Sequence, residues 1–443
     1  MGMVSQQHCN RGSGGSGQVD APTPCERRNM RLATLSACWG AIPQVLVKDS
    51  GVFVIFAALI GASEMVAVLS TALQDIALCL LMLPLAALSD RIGVQRQIVL
   101  AVFAAAVAIL IAAAAAWFPM MATLIMMLSL TVFAIAMSAY TSSWFPLLER
   151  IVPLSERSRF FGRMRFAWQL TSALFVFGAG WYVGHHATIG QLQLIIVVAA
   201  VLSLGRGYFI SRVKMSPVVI EPMRLGAAIR DAVANRSLTG FGVYLFFLYL
   251  AANAAIPVVI VFARNYLLLS DSMVVTLSAV AMSGLIGGFL ASGLIVKRMG
   301  VKGVLLVAHS GFALLNLALL CVHSSAMVSV VVLALILVLY GFIFAIASVA
   351  VSSELLELAS PSNKAVSIAF GYSLYAAGLG GARALASLVL GSGILAESWS
   401  LGALEFSRYH TIFLANAVGV FMAMALLVFV PAVTRKVGRL PAM

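Results

Sequence analysis

Residues 86–96 read AALSDRIGVQR, and residues 293–302 read GLIVKRMGVK. Each stretch follows a long apolar run, places charged residues beside a glycine and precedes another apolar run. Gly93 and Gly300 tolerate positive φ, which a short connection between two helices needs where the chain turns. The turn recurs 207 positions later, counted from Asp90 to Lys297, which indicates two copies of one helical unit.

Two further pairs of segments repeat at nearly the same distance. Residues 147–149, Leu-Leu-Glu, recur at 355–357, which is 208 positions on. Phe-Gly at 161–162 recurs at 370–371, which is 209 positions on. Three similar offsets in the same order indicate a duplicated chain, an organisation that transporters commonly use to place a substrate site between two halves.

The composition is that of a membrane protein. Of the 443 residues, 62% are hydrophobic and 10% are charged, and the mean hydropathy is +1.05. A soluble domain has roughly 25% charged residues, so a soluble globule and a disordered chain are both excluded. A helix needs about 20 apolar residues to cross the hydrocarbon core. Such runs predict twelve transmembrane helices, at residues 33–61, 65–89, 97–117, 121–145, 163–184, 188–210, 238–262, 273–296, 302–322, 326–350, 364–390 and 409–432.

The longest polar insertion, residues 211–237, divides these helices into six and six. We therefore predict an all-α integral membrane protein with two pseudo-symmetric six-helix bundles, at 33–210 and 238–433, joined by this central cytosolic loop. Residues 1–32 are polar and rich in Gly and Ser, and we expect a disordered cytosolic tail there. Residues 434–443 form a second cytosolic tail.

The net charge of +13 is explained by topology. If both termini are cytosolic, only Lys48, Arg264, Arg383 and Arg408 lie outside the cytosolic segments or their flanks, which leaves 24 of the 28 basic residues inside. Cytoplasmic loops carry such an excess of Lys and Arg. The charge thus predicts orientation in a bacterial inner membrane and gives no reason to expect a nucleic-acid partner.

With these residues in view, the chain resembles the major facilitator superfamily over residues 33–433. The loop between helices two and three of that family has the form G-x-L-x-D-R-x-G-R, which residues 86–96 follow closely. Ala86 replaces the first glycine, and Arg96 stands near the position of the last basic residue. The second copy keeps Gly293 and lacks the aspartate. The resemblance implies a transporter that works by alternating access.

The resemblance also implies a gate at the cytosolic helix ends. Glu149 with Arg157, and Glu357 with Lys364, place an acid and a base there, similar to the spacing in the superfamily's cytosolic gate. The same charges would also serve topology and solubility alone. The expected gate residues are Asp90, Arg91, Gly93, Arg96, Glu149, Arg157, Lys297, Arg298, Gly300, Glu357 and Lys364.

A second group of polar residues falls inside the predicted spans. Lys48 and Asp49 lie near the middle of the first span, Asp75 in the second, Asn253 in the seventh and Arg383 in the outer part of the eleventh. A charge at the bilayer centre costs about 2.5–3.5 kcal/mol, so such residues are functional candidates. We predict substrate contact or proton coupling here. Structural neutralisation of Lys48 or Arg383 by an ion pair is the alternative.

Three other residues are assigned ordinary roles. Glu64, at the outer turn between the first two spans, is expected to be solvated. Tyr372 and Tyr375 lie one turn apart in the eleventh span, where packing in the core or against lipid is the more common role of aromatic residues.

These features predict a secondary active transporter of a small solute, coupled to protons. No G-x-x-x-x-G-K-[ST] phosphate loop, H-E-x-x-H or G-x-S-x-G pattern occurs, so we expect neither an ATP motor nor an enzyme, and no cofactor or metal. The expected partners are the solute, protons and the lipid bilayer, and the expected state is a monomer. A ligand-binding sensor without net transport and a facilitative uniporter are the alternatives.

Overall fold

The computed structural model describes residues 22–153, 156–215, 225–360, 364–402 and 404–429. Within these ranges the chain forms fourteen α-helices, one short 3-10 segment and two strands. In chain order they are α1 (Pro24–Lys48), α2 (Gly51–Leu59), α3 (Glu64–Ile92), α4 (Val94–Ala114), the 3-10 segment (Ala115–Trp117), α5 (Ala122–Ile151), α6 (Arg157–Val183), α7 (Ile189–Ser211), α8 (Leu225–Ala234), α9 (Arg236–Ala252), α10 (Ala255–Asn265), α11 (Asp271–Leu319), α12 (Met327–Leu358), α13 (Lys364–Gly391), β1 (Ser398–Leu401), β2 (Leu404–Ser407) and α14 (Arg408–Phe429).

These helices account for the twelve predicted spans. Within the described ranges, nine helical segments are long and apolar enough to cross a membrane by length and composition. One of them, α11, contains two spans, and α6 and α14 supply the remaining two. The first span consists of α1 and α2 and the seventh of α9 and α10. Each of these two spans is divided near its middle into two shorter helices.

The two glycine turns have the predicted backbone geometry. Gly93 has φ 92° and separates α3 from α4, while Gly300 has φ 69° and interrupts α11. An L side chain rarely adopts these angles, so glycine is required by conformation. We call the end of the molecule that carries these turns the basic face, and the other end the opposite face.

The helices form two bundles, α1–α7 and α9–α14, which meet where α3 packs against α13 and where α6 packs against the first part of α11. The first of these contacts is close because α13 has a glycine there. A Cβ built on Gly380 would lie 2.9 Å from the backbone nitrogen of Ile76. Small residues allow such backbone approach in lipid, where no hydrophobic driving force brings helices together.

The amino-terminal boundary differs from the prediction. α1 begins at Pro24, so residues 24–32, which we expected to belong to the disordered tail, are helical. Thr23 and Glu26 form a capping box, in which the Thr23 hydroxyl accepts from the backbone N–H of Glu26 at 3.2 Å. This signal was present in the sequence, but the neighbouring Gly and Ser residues obscured it.

Two small elements lie outside the predicted spans. The central segment 211–237 contains the ten-residue helix α8. Between α13 and α14, β1 and β2 form an antiparallel hairpin on the opposite face, in which Trp399 pairs with Phe406 and their rings stack at 4.4 Å between centroids. The fold remains all-α in its membrane part.

Candidate functional site

The first span is broken between α1 and α2. α1 ends at Lys48, and Asp49 leaves the helix with φ −129° and ψ 9°. Ser50 stabilises both helix ends, because its hydroxyl donates to the carbonyl oxygen of Leu46 at 2.8 Å and accepts from the N–H of Val52 at 3.3 Å. Free backbone groups are costly in a membrane, so such a break is stable only where the protein supplies partners.

Lys48 and Asp75 form an ion pair at this break. The Nζ atom of Lys48 lies 2.7 Å from Oδ1 of Asp75. The Asp75 side chain is 3% exposed and the Lys48 side chain 20% exposed, so the carboxylate is enclosed while the ammonium keeps some access. The other carboxylate oxygen, Oδ2, is buried and has no hydrogen-bond partner among the described residues.

Arg383 links the second bundle to the break in the first. Its Nη2 donates to Oδ1 of Asp49 at 2.9 Å. Its Nη1 donates to the carbonyl oxygens of Lys48 at 2.8 Å and Thr71 at 3.1 Å. The guanidinium therefore lies beside the carboxyl end of α1, where the helix dipole favours a cation. The Arg383 side chain is 2% exposed, whereas that of Asp49 is 37% exposed.

The seventh span is interrupted at the corresponding place, but more mildly, because Asn253 and Ala254 between α9 and α10 keep right-handed helical backbone angles. Asn253 caps the end of α9, and its Nδ2 donates to the carbonyl oxygen of Leu379 at 3.1 Å. The hydroxyl of Tyr340 donates to the carbonyl oxygen of Ala252. Breaks thus occur in the first span of each bundle, in agreement with the duplication. α13 contacts both of them.

Five aromatic residues form a continuous group of ring contacts, four in the second bundle and one in the first. The ring of Tyr249 lies 4.7 Å from that of Tyr375 and 5.8 Å from that of Phe344, both edge to face. Tyr372 lies 6.0 Å from Tyr375, again edge to face, and 5.7 Å from Phe145 of the first bundle. We call these five residues the aromatic cluster. Tyr372 and Tyr375 pack in the interior, as expected, and form part of a group that spans the two bundles.

Glu64 is not solvated as expected. Its carboxylate accepts from Asn265 Nδ2 at 2.6 Å, from the Tyr409 hydroxyl at 2.8 Å and from Arg408 Nη2 at 2.9 Å. The Glu64 and Arg408 side chains are each 24% exposed. All three donors belong to the second bundle, so this group, the Glu64 lock, joins the bundles at the opposite face.

A second connection at the opposite face is centred on Asp271. Its carboxylate accepts from the backbone N–H of Ala187 at 3.0 Å and pairs with Arg264 at 3.1 Å. The hydroxyl of the next residue, Ser272, donates to the carbonyl oxygen of Gly180 at 2.7 Å. The start of α11 is therefore fixed to the end of α6.

The predicted gate residues lie at the basic face. Arg157 and Glu149 approach to 3.9 Å, the limit of an ion pair, and both belong to the first bundle. Gly93 and Gly300 form the turns described above, and the side chain of Lys364 lies outside the described part of the structure. The remaining gate residues are exposed: Asp90, Arg91, Arg96, Lys297, Arg298 and Glu357.

The contacts between the bundles are distributed unevenly. Among the described residues, the hydrogen bonds and ion pairs that cross the bundle boundary lie between the α1–α2 break and the opposite face. Towards the basic face, the described contacts between the bundles involve aromatic rings. The Arg165 guanidinium lies 5.4 Å from the centre of the Phe289 ring, and the rings of Phe145 and Tyr372 pack together. The molecule is closed by polar contacts at the opposite face.

Several residues that complete this site were not predicted from the sequence. Ser278 of the second bundle accepts from the backbone N–H of Gly51 at 3.1 Å, and the Thr71 carbonyl receives Arg383. Tyr340 caps α9 as described above. A serine, threonine or tyrosine within an apolar run gives no local sign of such a role, because its partner lies on another helix.

Two bundles related by duplication, with broken helices and paired charges at their boundary, define the architecture of a membrane transporter. A sequence profile described as Major Facilitator Superfamily matches residues 30–382. The chain belongs to the major facilitator superfamily, a family of multi-pass membrane transporters.

Solved structures share the fold. The D-xylose-proton symporter superposes with a TM-score of 0.71 at 14% identity, over 93% of this chain and 99% of that chain. The nucleoside transporter NupG superposes with a TM-score of 0.63 at 14% identity, over 94% and 100%. A POT family transporter in complex with 5-aminolevulinic acid superposes with a TM-score of 0.65 at 13% identity, over 93% of this chain and 96% of that chain. A search of curated proteins gave no match.

Proposed function

We propose that the chain is a secondary active transporter that moves a small solute across a bacterial inner membrane by alternating access, driven by protons. The single observation that carries the proposal is the Arg383–Asp49 pair, which joins the two bundles at the break between α1 and α2. In this proposal the basic face lies in the cytosol, in accordance with the distribution of Lys and Arg.

The Arg383–Asp49 pair suits a coupling site because it can change with protonation. Asp49 as a carboxylate holds Arg383, and a proton on Asp49 removes that charge and weakens the link between the bundles. The Asp49 side chain is 37% exposed, which gives protons access, while the Arg383 side chain is enclosed. Protonation thereby biases which side of the protein is open.

The uneven contacts between the bundles support alternating access. The Glu64 lock and the Asp271 connection hold the opposite face closed, while the charged residues of the basic face are exposed. Rocking of the bundles would break the Glu64 lock and the Asp271 connection and bring the charged residues of the basic face together. The gate residues at the basic face then act in the other conformation.

The similar structures favour a small solute and a proton as partners. They are a nucleoside transporter, a D-xylose-proton symporter and a transporter in complex with 5-aminolevulinic acid. At 13–14% identity these similarities establish the fold alone. Substrate and coupling in this chain are part of our proposal.

The test uses the purified chain in proteoliposomes that contain a pH-sensitive dye. Nucleosides, sugars, amino acids and amines are added outside under an imposed pH gradient. We expect one class to accumulate together with proton movement, and Asp49→Asn to abolish accumulation while thermal unfolding stays close to that of the wild type. Asparagine keeps an oxygen that can accept from Arg383, so the fold is retained.

The control is Glu397→Gln, which neutralises a carboxylate whose side chain is 82% exposed at the opposite face. This variant should accumulate solute normally. Solute movement without a proton signal would support a uniporter, and solute binding without flux would support a sensor. Normal proton-driven accumulation by Asp49→Asn would overturn the coupling role.

A further inference from the structure

The ammonium group of Lys48 contacts Asp75 in the way that a bound organic ammonium ion would, except that it is part of the chain. A primary ammonium group, Nζ of Lys48, lies 2.7 Å from a carboxylate whose side chain is 3% exposed. The ammonium is carried by a flexible four-carbon stem, and the Lys48 side chain as a whole is 20% exposed. It can therefore leave the carboxylate at lower cost than an enclosed group.

Asp75 has acceptor capacity that the described residues do not fill. Lys48 uses Oδ1, and Oδ2 is buried without a hydrogen-bond partner. A buried acceptor without a donor costs about 1–3 kcal/mol, and more when it is charged. An incoming group with several N–H donors would satisfy both oxygens, whereas a group with acceptors alone would satisfy neither.

Helix α13 joins the aromatic cluster to the helix that carries Asp75. Tyr375 belongs to α13, and Tyr249 and Tyr372 lie against it. Gly380, five residues further along α13, places α13 in contact with α3, since a Cβ there would lie 3.1 Å from Cβ of Asp75. The faces of aromatic rings attract cations.

The cations of the site offer little to an anion. Both amino groups of Arg383 are occupied, by Asp49 and by the carbonyl oxygens of Lys48 and Thr71. Its remaining donor, Nε, has no partner among the described residues but is buried, and the side chain is 2% exposed. Lys48 is already paired with Asp75. A carboxylate that captured Lys48 would leave Asp75 unpaired in the protein interior, which is costly.

From this arrangement we propose that the transported solute is an organic ammonium ion, which binds Asp75 in place of Lys48 and packs its apolar part against the aromatic cluster. This inference rests on the proposed function, because it names the substrate class of the same site. Exchange of one ammonium for another keeps Asp75 neutralised throughout. Lys48 returns to Asp75 when the solute leaves, so the empty carrier has no unpaired acid.

Thermal unfolding of the purified full-length chain tests the substrate class. Three probes share a phenyl ring and differ in charge: phenethylammonium, phenethyl alcohol and hydrocinnamate. A ligand of the native state raises the unfolding temperature. We expect a saturable rise with phenethylammonium, at a half-saturation concentration at least tenfold lower than for the alcohol or the carboxylate. An equal or larger response to either of the latter overturns the proposal.

Lys48→Met removes the competing ammonium and keeps an unbranched stem. Phenethylammonium should bind this variant at least tenfold more tightly than the wild type, and it should restore unfolding temperature lost by the substitution. The control is Lys302→Met at an exposed position of the basic face, which should respond as the wild type does. No response in either the wild type or Lys48→Met overturns the proposal.

Asp75→Asn removes the charge that selects the cation. If this variant folds poorly alone, the double variant Lys48→Met with Asp75→Asn leaves no unpaired charge and should fold. Both should lose the preference for phenethylammonium over the alcohol, and a retained preference overturns the proposal. Binding of the ammonium without flux in proteoliposomes would contradict transport and leave the ligand class standing. Flux of a carboxylate without ammonium binding would contradict the ligand class and leave transport standing.

Discussion

Leu379 and Arg383 lie one helical turn apart on α13, and each contacts a break in a different bundle. The carbonyl oxygen of Leu379 accepts from Asn253 at the α9–α10 break. Arg383 donates to the carbonyl oxygen of Lys48 at the α1–α2 break. Residues four apart face the same side of a helix. One short segment of α13 therefore connects the two broken helices.

This connection has a consequence for movement. The two breaks are in the first span of each bundle, and backbone groups freed at a break are held by partners from other helices. A shift of α13 along its axis would change the contacts at both breaks together. The geometry therefore favours concerted movement of the two bundles at the site.

The first prediction concerns the three hydrogen bonds that the Arg383 guanidinium donates. Arg383→Lys keeps the charge but replaces the two donor nitrogens, Nη1 and Nη2, by a single nitrogen on a different stem, so the geometry of the three hydrogen bonds is lost. We expect a lower unfolding temperature, since unsatisfied buried acceptors cost about 1–3 kcal/mol, and strongly reduced accumulation in proteoliposomes. Arg212→Lys, at an exposed position, is the matched control. Wild-type stability and accumulation in Arg383→Lys would contradict the assigned contacts.

The second prediction concerns the contact between α3 and α13. A Cβ at Gly380 would lie 2.9 Å from the backbone nitrogen of Ile76, in the other bundle. Overpacking of this kind costs typically about 1–3 kcal/mol, so Gly380→Ala should destabilise the conformation described here and slow transport. A Cβ added at Gly162 would have no neighbouring atom within 4 Å, so Gly162→Ala should change neither stability nor transport rate. Equal behaviour of the two variants, measured by unfolding temperature and uptake rate, would show that this close approach is unimportant.

Much of the fold was predictable because the information is local. Span length, the turn at Gly93 and the repeat at Gly300 can be read from neighbouring residues. The candidate residues Lys48, Asp49 and Asp75 stood out because charges are costly within apolar spans. Their positions followed from the sequence, but their partners did not.

The missed features depend on contacts that are distant in sequence. Arg383 lies 334 positions from Asp49, and the donors to Glu64 come from the other bundle. The breaks themselves left local signs. Lys48-Asp49-Ser50 supplies a basic residue at a helix end followed by an N-cap serine, and Pro257 near the start of α10 is also typical of a helix boundary. Averaging hydropathy over a whole span hides both signals.

The third prediction concerns the basic face. Asp90 is exposed near the end of α3, three residues before the Gly93 turn. If it closes the gate in the other conformation, Asp90→Ala should lower the maximal uptake rate by about tenfold, which corresponds to about 1.4 kcal/mol in the barrier, with little change in half-saturation. Asp231→Ala, an exposed carboxylate on α8, is the control. A large loss of affinity at a normal maximal rate would contradict a gating role.

The fourth prediction concerns the Glu64 lock, for which the chain offers a matched control. Arg408 pairs with two carboxylates, Glu64 at 2.9 Å across the bundle boundary and Glu397 at 3.1 Å within the second bundle. Only the first pair opposes opening of the opposite face. Exposed pairs contribute about 0–1 kcal/mol, and Glu64 has two further donors. Glu64→Gln should therefore shift the population towards opening, whereas Glu397→Gln should not.

Ser387 provides the reporter for this shift, because its buried hydroxyl donates to the Met65 carbonyl oxygen at 2.6 Å across the same boundary. In a chain without native cysteines, Ser387→Cys should react slowly with a membrane-impermeant maleimide added at the opposite face. Glu64→Gln should accelerate the reaction by up to about tenfold, since tenfold corresponds to about 1.4 kcal/mol in a two-state equilibrium. Equal acceleration by Glu397→Gln would mean that loss of charge around Arg408, rather than release of the bundle contact, opens this face.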